Sequence, residues 1–420
     1  MHRIWNIVGF LGLAAASTAH AQPLSLPDAQ RLALARSQQL AAQDSAAAAS
    51  REMAVAAGQL PDPVLKLGID NLPVNGAERF SLTRDFMTMR RIGVMQELTR
   101  REKRDLRALR LGREAEKSLA EKDAAVAAIE RETALAWLER YYAEALAAVL
   151  AEQVAQARLE VQAAEAAYRG ARAGQADVIT AHGTVASLED RASEIGRRAA
   201  VAKSNLARWV GDAAERPLAF PPAMDSIPLE ANALEAHLSG HPEIVALLRQ
   251  EEIAATEARI AQASRRPDWT VEVAYQQRGP DFSNMVSLGV SVPLPWDRAN
   301  RQDREAASKL AMAQQARAQR EELLRAHAGE VRAMIVEWHS GRERLARYGR
   351  DLLPLARERA QAALAAYQGG RTSATELLGA RRNEAEIRVQ AVQLEMEVAR
   401  LWARLSFLLP DHALHEEVRK

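Results

Sequence analysis

The sequence predicts a mainly α-helical protein with a membrane β-barrel portion, built from internally duplicated long helical hairpins with two β-hairpins per chain. Three observations support this prediction. Alanine, leucine, glutamate, glutamine and arginine dominate long stretches with few helix breakers, as in long helices and coiled coils. One segment recurs about 200 residues later, which indicates an internal repeat. Short stretches between the helical ones alternate apolar and polar residues, which is the period of a β-strand.

Residues 1–21 have the pattern of a secretory signal peptide. Arg3 precedes an apolar run from Ile4 to Ala16, and Ala19-His20-Ala21 forms a small-residue cleavage site. The apolar run has 13 residues, fewer than the roughly 20 that a membrane-spanning helix needs. We therefore expect an exported mature chain that contains no transmembrane helix.

Residue counts argue against several classes of protein. The chain has no cysteine, so it forms no disulfide and carries no lipidated cysteine behind the cleavage site. It has 56 basic and 55 acidic residues, and loss of Arg3 with the signal peptide makes the mature chain neutral, which argues against nucleic-acid binding. We find no nucleophile elbow, phosphate loop or metal-ligand cluster. The prediction is therefore a protein that is not an enzyme, with no catalytic, cofactor or metal site.

One pair of histidines has helical spacing. His237 and His241 are four residues apart, and side chains at that spacing share a helix face. Gly240 and Pro242 flank the second histidine and interrupt the helix that such a pair would need. The sequence therefore favours exposed residues beside a linker over a zinc site.

The duplication is clearest where two helices meet at a turn. Ala163 to His182 aligns without gaps to Ala362 to Arg381, an offset of 199 residues. Matching positions are Tyr168 with Tyr367, Gly170 with Gly369, Arg172 with Arg371, and Asp177 with Glu376. We divide the chain into a signal peptide (1–21), a first repeat (22–211), a linker (212–230), a second repeat (231–410) and a C-terminal tail (411–420).

Each copy has the same predicted order: a helix, two strands, and two helices joined by a turn that contains glycine. The first copy covers 26–58, 63–72, 84–98, 102–169 and 175–210, and the second covers 231–264, 268–278, 284–296, 300–368 and 373–409. At 1.5 Å per residue, each long helix is roughly 100 Å, about the summed length of the two shorter helices in its copy. We therefore expect pairs of short helices to stack end to end beside each long one.

The predicted strands each have one apolar face. In the second copy the apolar positions are Trp269, Val271, Val273 and Tyr275, followed by Val286, Leu288 and Val290. Strands of about ten residues with this pattern are typical of outer-membrane barrels, although a soluble hairpin packed on helices has the same alternation. Trp269 begins one strand and Trp296 ends the next, so both would lie at one membrane interface as an aromatic belt.

Four strands cannot close a barrel. An open strand edge is unstable in lipid because its backbone groups have no hydrogen-bond partner. The chain must therefore form an oligomer, either of two chains with eight strands or of three chains with twelve strands and a wider lumen. The strand count alone permits both.

The mature chain resembles the TolC family of outer-membrane efflux proteins. That family's periplasmic tip carries an aromatic residue, a glycine three residues on and an acidic residue nine on, and the matching positions in this chain are Tyr168, Ala171 and Asp177, then Tyr367, Gly370 and Glu376. The resemblance implies a homotrimer in the outer membrane, with a 12-stranded barrel continuous with a periplasmic α-helical tunnel. It implies as partners outer-membrane lipid, a periplasmic adaptor (membrane fusion protein) and an inner-membrane RND-type pump. It also implies a gate at the tip, formed by Tyr168, Gly170, Arg172, Asp177, Tyr367, Gly370, Arg371 and Glu376.

The exported substrate is suggested by a single segment. Asp85 to Leu98 resembles the corresponding strand in the heavy-metal branch of the family, which implies export of cations such as copper, silver, cobalt, zinc or cadmium. The alternative is a duct for drugs or organic solutes. A periplasmic adaptor would carry one hairpin within split β-domains, and a structural coiled-coil protein would lack the strands.

Asp177 and Glu376 have two possible roles at the tip. Six such carboxylates in a trimer would form a ring that favours cations. Each acid is also predicted in the first turn of a helix, where it would offset the helix dipole. The sequence leaves both roles open.

Overall fold

The computed structural model describes residues 22–171, 174–228 and 234–409. The predicted signal peptide, the C-terminal tail and Arg172 lie outside the described residues. The first half contains α1 (Leu26–Arg36), α2 (Gln38–Ala57), β1 (Val64–Asp70), β2 (Met89–Leu98), α3 (Arg101–Arg169) and α4 (Gln175–Val210). The second half contains α5 (Leu234–Ser239), α6 (Pro242–Ala263), β3 (Trp269–Gln277), β4 (Met285–Ser291), α7 (Gln302–Arg347), α8 (Leu353–Gln368) and α9 (Ala374–Ser406).

The two halves repeat one order of elements, as the duplication predicts. Each has a broken first helix, two strands, a long helix and a returning helix. The four strands form one antiparallel sheet in the order β1-β2-β3-β4. The central pairing joins the halves, because β2 runs against β3 with Leu98 opposite Trp269. The outer edges of the sheet are β1 and β4.

Three predicted helices are interrupted. The first breaks at Ser37, which has extended backbone angles. Its counterpart breaks before His241, where Pro242 occupies the first helical position, a place that suits a residue without an N–H. The long helix of the second half has a π-helical turn at Tyr348–Leu352. Pro354 explains this turn, because its missing N–H and bulky ring disturb the preceding helical hydrogen bonds.

The chain forms two compact units, and the first combines the described parts of Met1–Ala33, Thr133–Ala223 and Leu353–Met396. Its hydrophobic core includes Leu146 and Leu150 of α3, Ile195 of α4 and Val389 of α9. The indole N–H of the buried Trp137 donates to the Leu24 carbonyl at 3.0 Å. Leu24 also forms a parallel β-bridge with Leu218. This bridge attaches part of the predicted linker to the segment that precedes α1.

Arg140 fixes the same segment of this unit. Its buried guanidinium donates to the carbonyls of Ala214 at 2.7 Å and Arg216 at 3.1 Å, and to the Glu144 carboxylate at 2.6 Å. The two charge-assisted hydrogen bonds to backbone carbonyls hold the segment that contains Ala214 and Arg216 against α3, and the bond to Glu144 orients the guanidinium.

The second unit combines Leu34–Glu132, Met224–Leu352 and the described part of Glu397–Lys420. It contains the whole sheet and the packed pair α6 and α7. The buried Lys103 ammonium binds the Asp268 carboxylate and the Arg266 carbonyl, both at 2.7 Å, which links the start of α3 to the start of β3. Within the described residues, no helix is both long and apolar enough to cross a lipid bilayer.

Candidate functional site

The sheet has one continuous apolar face. Strand pairing aligns rows of apolar side chains across all four strands, and the two central rows are Leu65-Val94-Val273-Leu288 and Leu67-Ile92-Tyr275-Val286. All eight side chains are exposed, Leu288 by 79%. The alternation predicted from the sequence is therefore present, and its apolar side is not covered by the helices. A large exposed apolar patch marks a surface that contacts lipid or another protein.

The opposite face of the sheet carries an ionic cluster. The Glu272 carboxylate accepts a hydrogen bond from Lys66 at 2.7 Å and forms an ion pair with Arg91. Arg91 also lies 3.9 Å from the Asp70 carboxylate. Beneath them Gly93 allows close strand packing, since a Cβ there would lie 2.9 Å from the Cβ of Ala274. The two faces thus differ sharply in polarity.

The two predicted belt tryptophans are at the same end of the β3–β4 hairpin. Trp269 begins β3 and Trp296 follows the end of β4. Both are exposed, Trp296 by 91%. The geometry is compatible with an interfacial pair, although the lipid contact itself stays a prediction.

The predicted tip residues lie at two similar turns, one at the end of α3 and one at the end of α8. The Ala171 N–H donates to the Tyr168 carbonyl, and the Gly370 N–H donates to the Tyr367 carbonyl, both at 3.0 Å. Ala171 and Gly370 both have left-handed backbone, with φ of 53° and 68°. The turns therefore share one conformation despite the alanine that replaces glycine in the first copy.

The acidic tip residues lie at helix starts that are capped. The Asp177 carboxylate accepts from the Gly174 N–H at 2.9 Å at the start of α4. In the second copy the Ser373 hydroxyl accepts from the Glu376 N–H at 3.2 Å. Both acids are exposed. Within the described residues, no hydrogen bond or ion pair joins the tip residues of one copy to those of the other.

We expect Ala171→Gly to stabilise the protein by about 0.5–1 kcal/mol, because a left-handed backbone is unfavourable for alanine but not for glycine. The converse change, Gly370→Ala, should destabilise it by a similar amount. Thermal melts followed by circular dichroism would measure both. Equal melting temperatures for all three proteins would show that neither turn holds this conformation.

A polar cleft lies between α3, α4 and α9 within the first unit. It has a volume of about 630 Å³. Arg388 donates to the Glu152 carboxylate at 2.7 Å, and Gln153 donates to the Ala385 carbonyl at 3.1 Å. Burial raises the pKa of the Glu160 carboxyl, although Arg381 and Arg382 act in the opposite direction. No sequence pattern marks this cleft, because its residues are ordinary helix-surface types.

The raised pKa of Glu160 predicts a pH effect on stability. Folding favours the protonated carboxyl, so this residue's contribution falls as pH rises above its usual pKa and through the raised one. Glu160→Gln should therefore leave stability unchanged in acid and increase it at pH 7. The control is Glu152→Gln in the same cleft. The hydrogen bond from Arg388 lowers the pKa of the Glu152 carboxyl, so this substitution should decrease stability at pH 7. Urea unfolding at several pH values would separate the two.

The prediction that His241 is exposed is wrong. Its side chain is only 4% exposed, and its Nδ1 accepts from the Glu243 N–H at 3.3 Å at the start of α6. The ring packs edge-on against His327 of α7, with centroids 5.2 Å apart. Sequence reasoning missed His327 because it is far from His241 along the chain and has no spacing relation to it.

No known family model matches the chain, and no curated protein matches it either. Solved structures do match its fold. One is the outer membrane protein VceC from the bacterial pathogen Vibrio cholerae, with a TM-score of 0.75 and 21% identity over 91% of this chain and 95% of that one. Another is the Campylobacter jejuni CmeC outer membrane channel, with a TM-score of 0.76 and 14% identity over 94% of this chain and 88% of that one. A third is CusC, whose crystal structures concern transmembrane channel formation, with a TM-score of 0.74 and 16% identity over 91% of each chain.

These similarities extend over nearly the whole described chain. They show that it has the fold of outer-membrane channels, with long helices and a small antiparallel sheet, and they confirm the predicted fold class.

Proposed function

We propose that the chain is one protomer of the outer-membrane channel of a tripartite efflux system, a passive exit duct with its helical tunnel in the periplasm. The observation that carries this proposal is the exposed apolar face, which lies on a sheet whose two edge strands, β1 and β4, pair with no further strand of the described residues. In water such a face and such edges favour aggregation. In a bilayer the face is stable once the edges are paired with other chains.

Three chains are the proposed assembly. If β4 of one protomer pairs with β1 of the next, twelve strands close into a barrel wide enough for an aqueous lumen. The apolar rows then contact lipid, and the cluster around Glu272 faces the lumen. The proposed partners are a periplasmic adaptor and an inner-membrane RND-type pump, which supplies the energy that a passive duct lacks.

Tryptophan quenching by brominated lipids tests the membrane contact. Trp269 and Trp296 should be quenched in reconstituted protein, whereas Trp137, Trp338 and Trp402 are buried and should be protected. The matched control is Trp269→Phe combined with Trp296→Phe, which should lose most of the quenching. Equal quenching of both proteins, or recovery of the mature chain as a soluble monomer, would refute the proposal.

Heavy-metal cations are the proposed substrate, supported by the resemblance of the segment from Asp85 to Leu98. Deletion of the gene should then sensitise the host to one or more transition metals more than to hydrophobic drugs. Loss of drug tolerance with unchanged metal tolerance would favour the alternative, a duct for drugs or organic solutes. Both outcomes are compatible with an efflux duct, so this experiment addresses the substrate alone.

The proposed gate at the periplasmic tip predicts two electrical effects. Asp177→Asn with Glu376→Gln should reduce cation preference in planar bilayers, because six carboxylates are removed from a trimer. Tyr367→Phe with Arg371→Ser should raise conductance by loosening the closed tip. Unchanged selectivity and conductance in intact trimers would leave helix capping as the role of the two acids.

A further inference from the structure

His241, His327 and Glu243 form a cluster of metal-ligand side chains in the second unit. One candidate ligand atom from each residue lies within 4.8 Å of the other two. Glu243 and His327 are 3.7 Å apart between Oε2 and Nε2. We propose that these three residues bind one first-row divalent transition metal ion, with zinc as the best-matched ion.

The chemistry of the donors fits this ion. Two imidazoles and a carboxylate are a common set for zinc, and a water molecule commonly completes the tetrahedron. Ligand atoms in such a site are about 3.4 Å apart for bonds of 2.0–2.1 Å. Small rotations of Glu243 and His327 would close the present spacing, since His327 is 19% and Glu243 49% exposed. The exposed carboxylate also gives the ion a route from solvent.

The hydrogen bonds of His241 decide which of its ring nitrogens can reach an ion. The Leu408 carbonyl hydrogen-bonds the ring. Because Nδ1 accepts from the Glu243 N–H, Nε2 is the nitrogen left to donate to Leu408. Metal binding therefore requires one of these two nitrogens to exchange its present hydrogen-bond partner for the ion.

One ring nitrogen of His327 has no hydrogen-bond partner among the described residues. This atom, Nδ1, is buried, and an unpaired buried nitrogen is unfavourable. Arg131 adds a positive charge near the cluster, and the Glu243 carboxylate offsets it. The set therefore offers two imidazole nitrogens and one carboxylate oxygen as donors.

The first copy shows that the fold does not require these histidines. Its matching helix break has Ser37 in place of His241. At the offset that relates Trp137 to Trp338, the position matching His327 is Val126. The paired rings are therefore a special feature of the second copy, and valine at position 327 has a natural precedent within the chain.

Zinc titration of the purified mature chain in mild detergent, after removal of metal with a chelator, tests the site by calorimetry. The wild type should bind one zinc ion per chain and gain thermal stability from it, because the ion binds only the folded state. His327→Val should weaken this binding by more than about tenfold and abolish the zinc-dependent rise in melting temperature. The control is His339→Val, which removes an exposed histidine from the same helix and should change neither.

Three results would overturn the site: a wild type that binds no zinc, zinc binding unchanged by His327→Val, or equal losses in His327→Val and His339→Val. Without zinc, the melting temperatures of the two variants separate a folding defect from a lost ligand. Glu243→Gln gives a second test, because it keeps the N–H that donates to His241 and removes only the anionic donor. Unchanged affinity in that variant would also count against the site.

Discussion

Leu288→Arg should prevent the protein from assembling in the outer membrane. Leu288 is the most exposed of the central apolar side chains, in the row with Val273 and Val94. An arginine on the lipid face of a barrel costs about 2–4 kcal/mol near the bilayer centre, and a trimer would incur that cost three times. We expect little or no trimer in outer-membrane fractions, measured by gel mobility of unheated samples in mild detergent.

The control for this change is its neighbour. Ser287 lies on the opposite face, where it is paired with Ala274. Ser287→Arg adds the same side chain to the polar face and should still assemble. If both variants assembled equally well, the apolar face would not contact lipid, and a soluble location for the sheet would have to be considered.

Arg140→Ala should destabilise the first unit by about 2–4 kcal/mol. The guanidinium is buried and bonds the carbonyls of Ala214 and Arg216. Its removal breaks a buried bond to Ala214 and a partly buried bond to Arg216, and water has little access to replace the first. Arg140→Lys should be intermediate, because one ammonium cannot reproduce the planar fork. Urea unfolding followed by the fluorescence of the nearby Trp137 would measure the change.

A second arginine of α3 provides the comparison. Arg158 forms an exposed ion pair with Glu189 at 2.7 Å, and exposed pairs contribute about 0–1 kcal/mol. Arg158→Ala should therefore have a small effect. A large loss from Arg158→Ala, or none from Arg140→Ala, would show that burial does not determine how much these two arginines contribute to stability.

The faces of the strands could be predicted from sequence because a strand has a fixed period of two. The ends of the strands could not. The sequence pattern predicts a second strand that begins at 84, but β2 begins at Met89. Asp85 explains the difference, because its carboxylate accepts hydrogen bonds from the N–H groups of Met87 and Thr88. These bonds hold the residues just before β2 in a turn. This use of a side chain as a local acceptor competes with strand pairing.

The helices show the same limit. Their positions follow from composition and periodicity, whereas the break at Ser37 has no proline or glycine beside it. The break before Pro242 did have a signal, because proline favours the first position of a helix. No sequence signal marked the surroundings of His241. The packing of α6 against α7 brings His327 to it, and the spacing of residues along the chain carries no information about such a contact.

The order of pairing in the sheet has a consequence for biogenesis. β2 is completed at Leu98, but its neighbour β3 starts only at Trp269. At about 5–20 residues per second, synthesis of the intervening chain takes roughly 10–30 s. If the proposed channel is exported while it is being synthesised, its first hairpin has an apolar face and an unpaired edge in water during that interval, the condition that promotes aggregation. We therefore expect the nascent chain to depend on a periplasmic holding chaperone until its second hairpin has been exported.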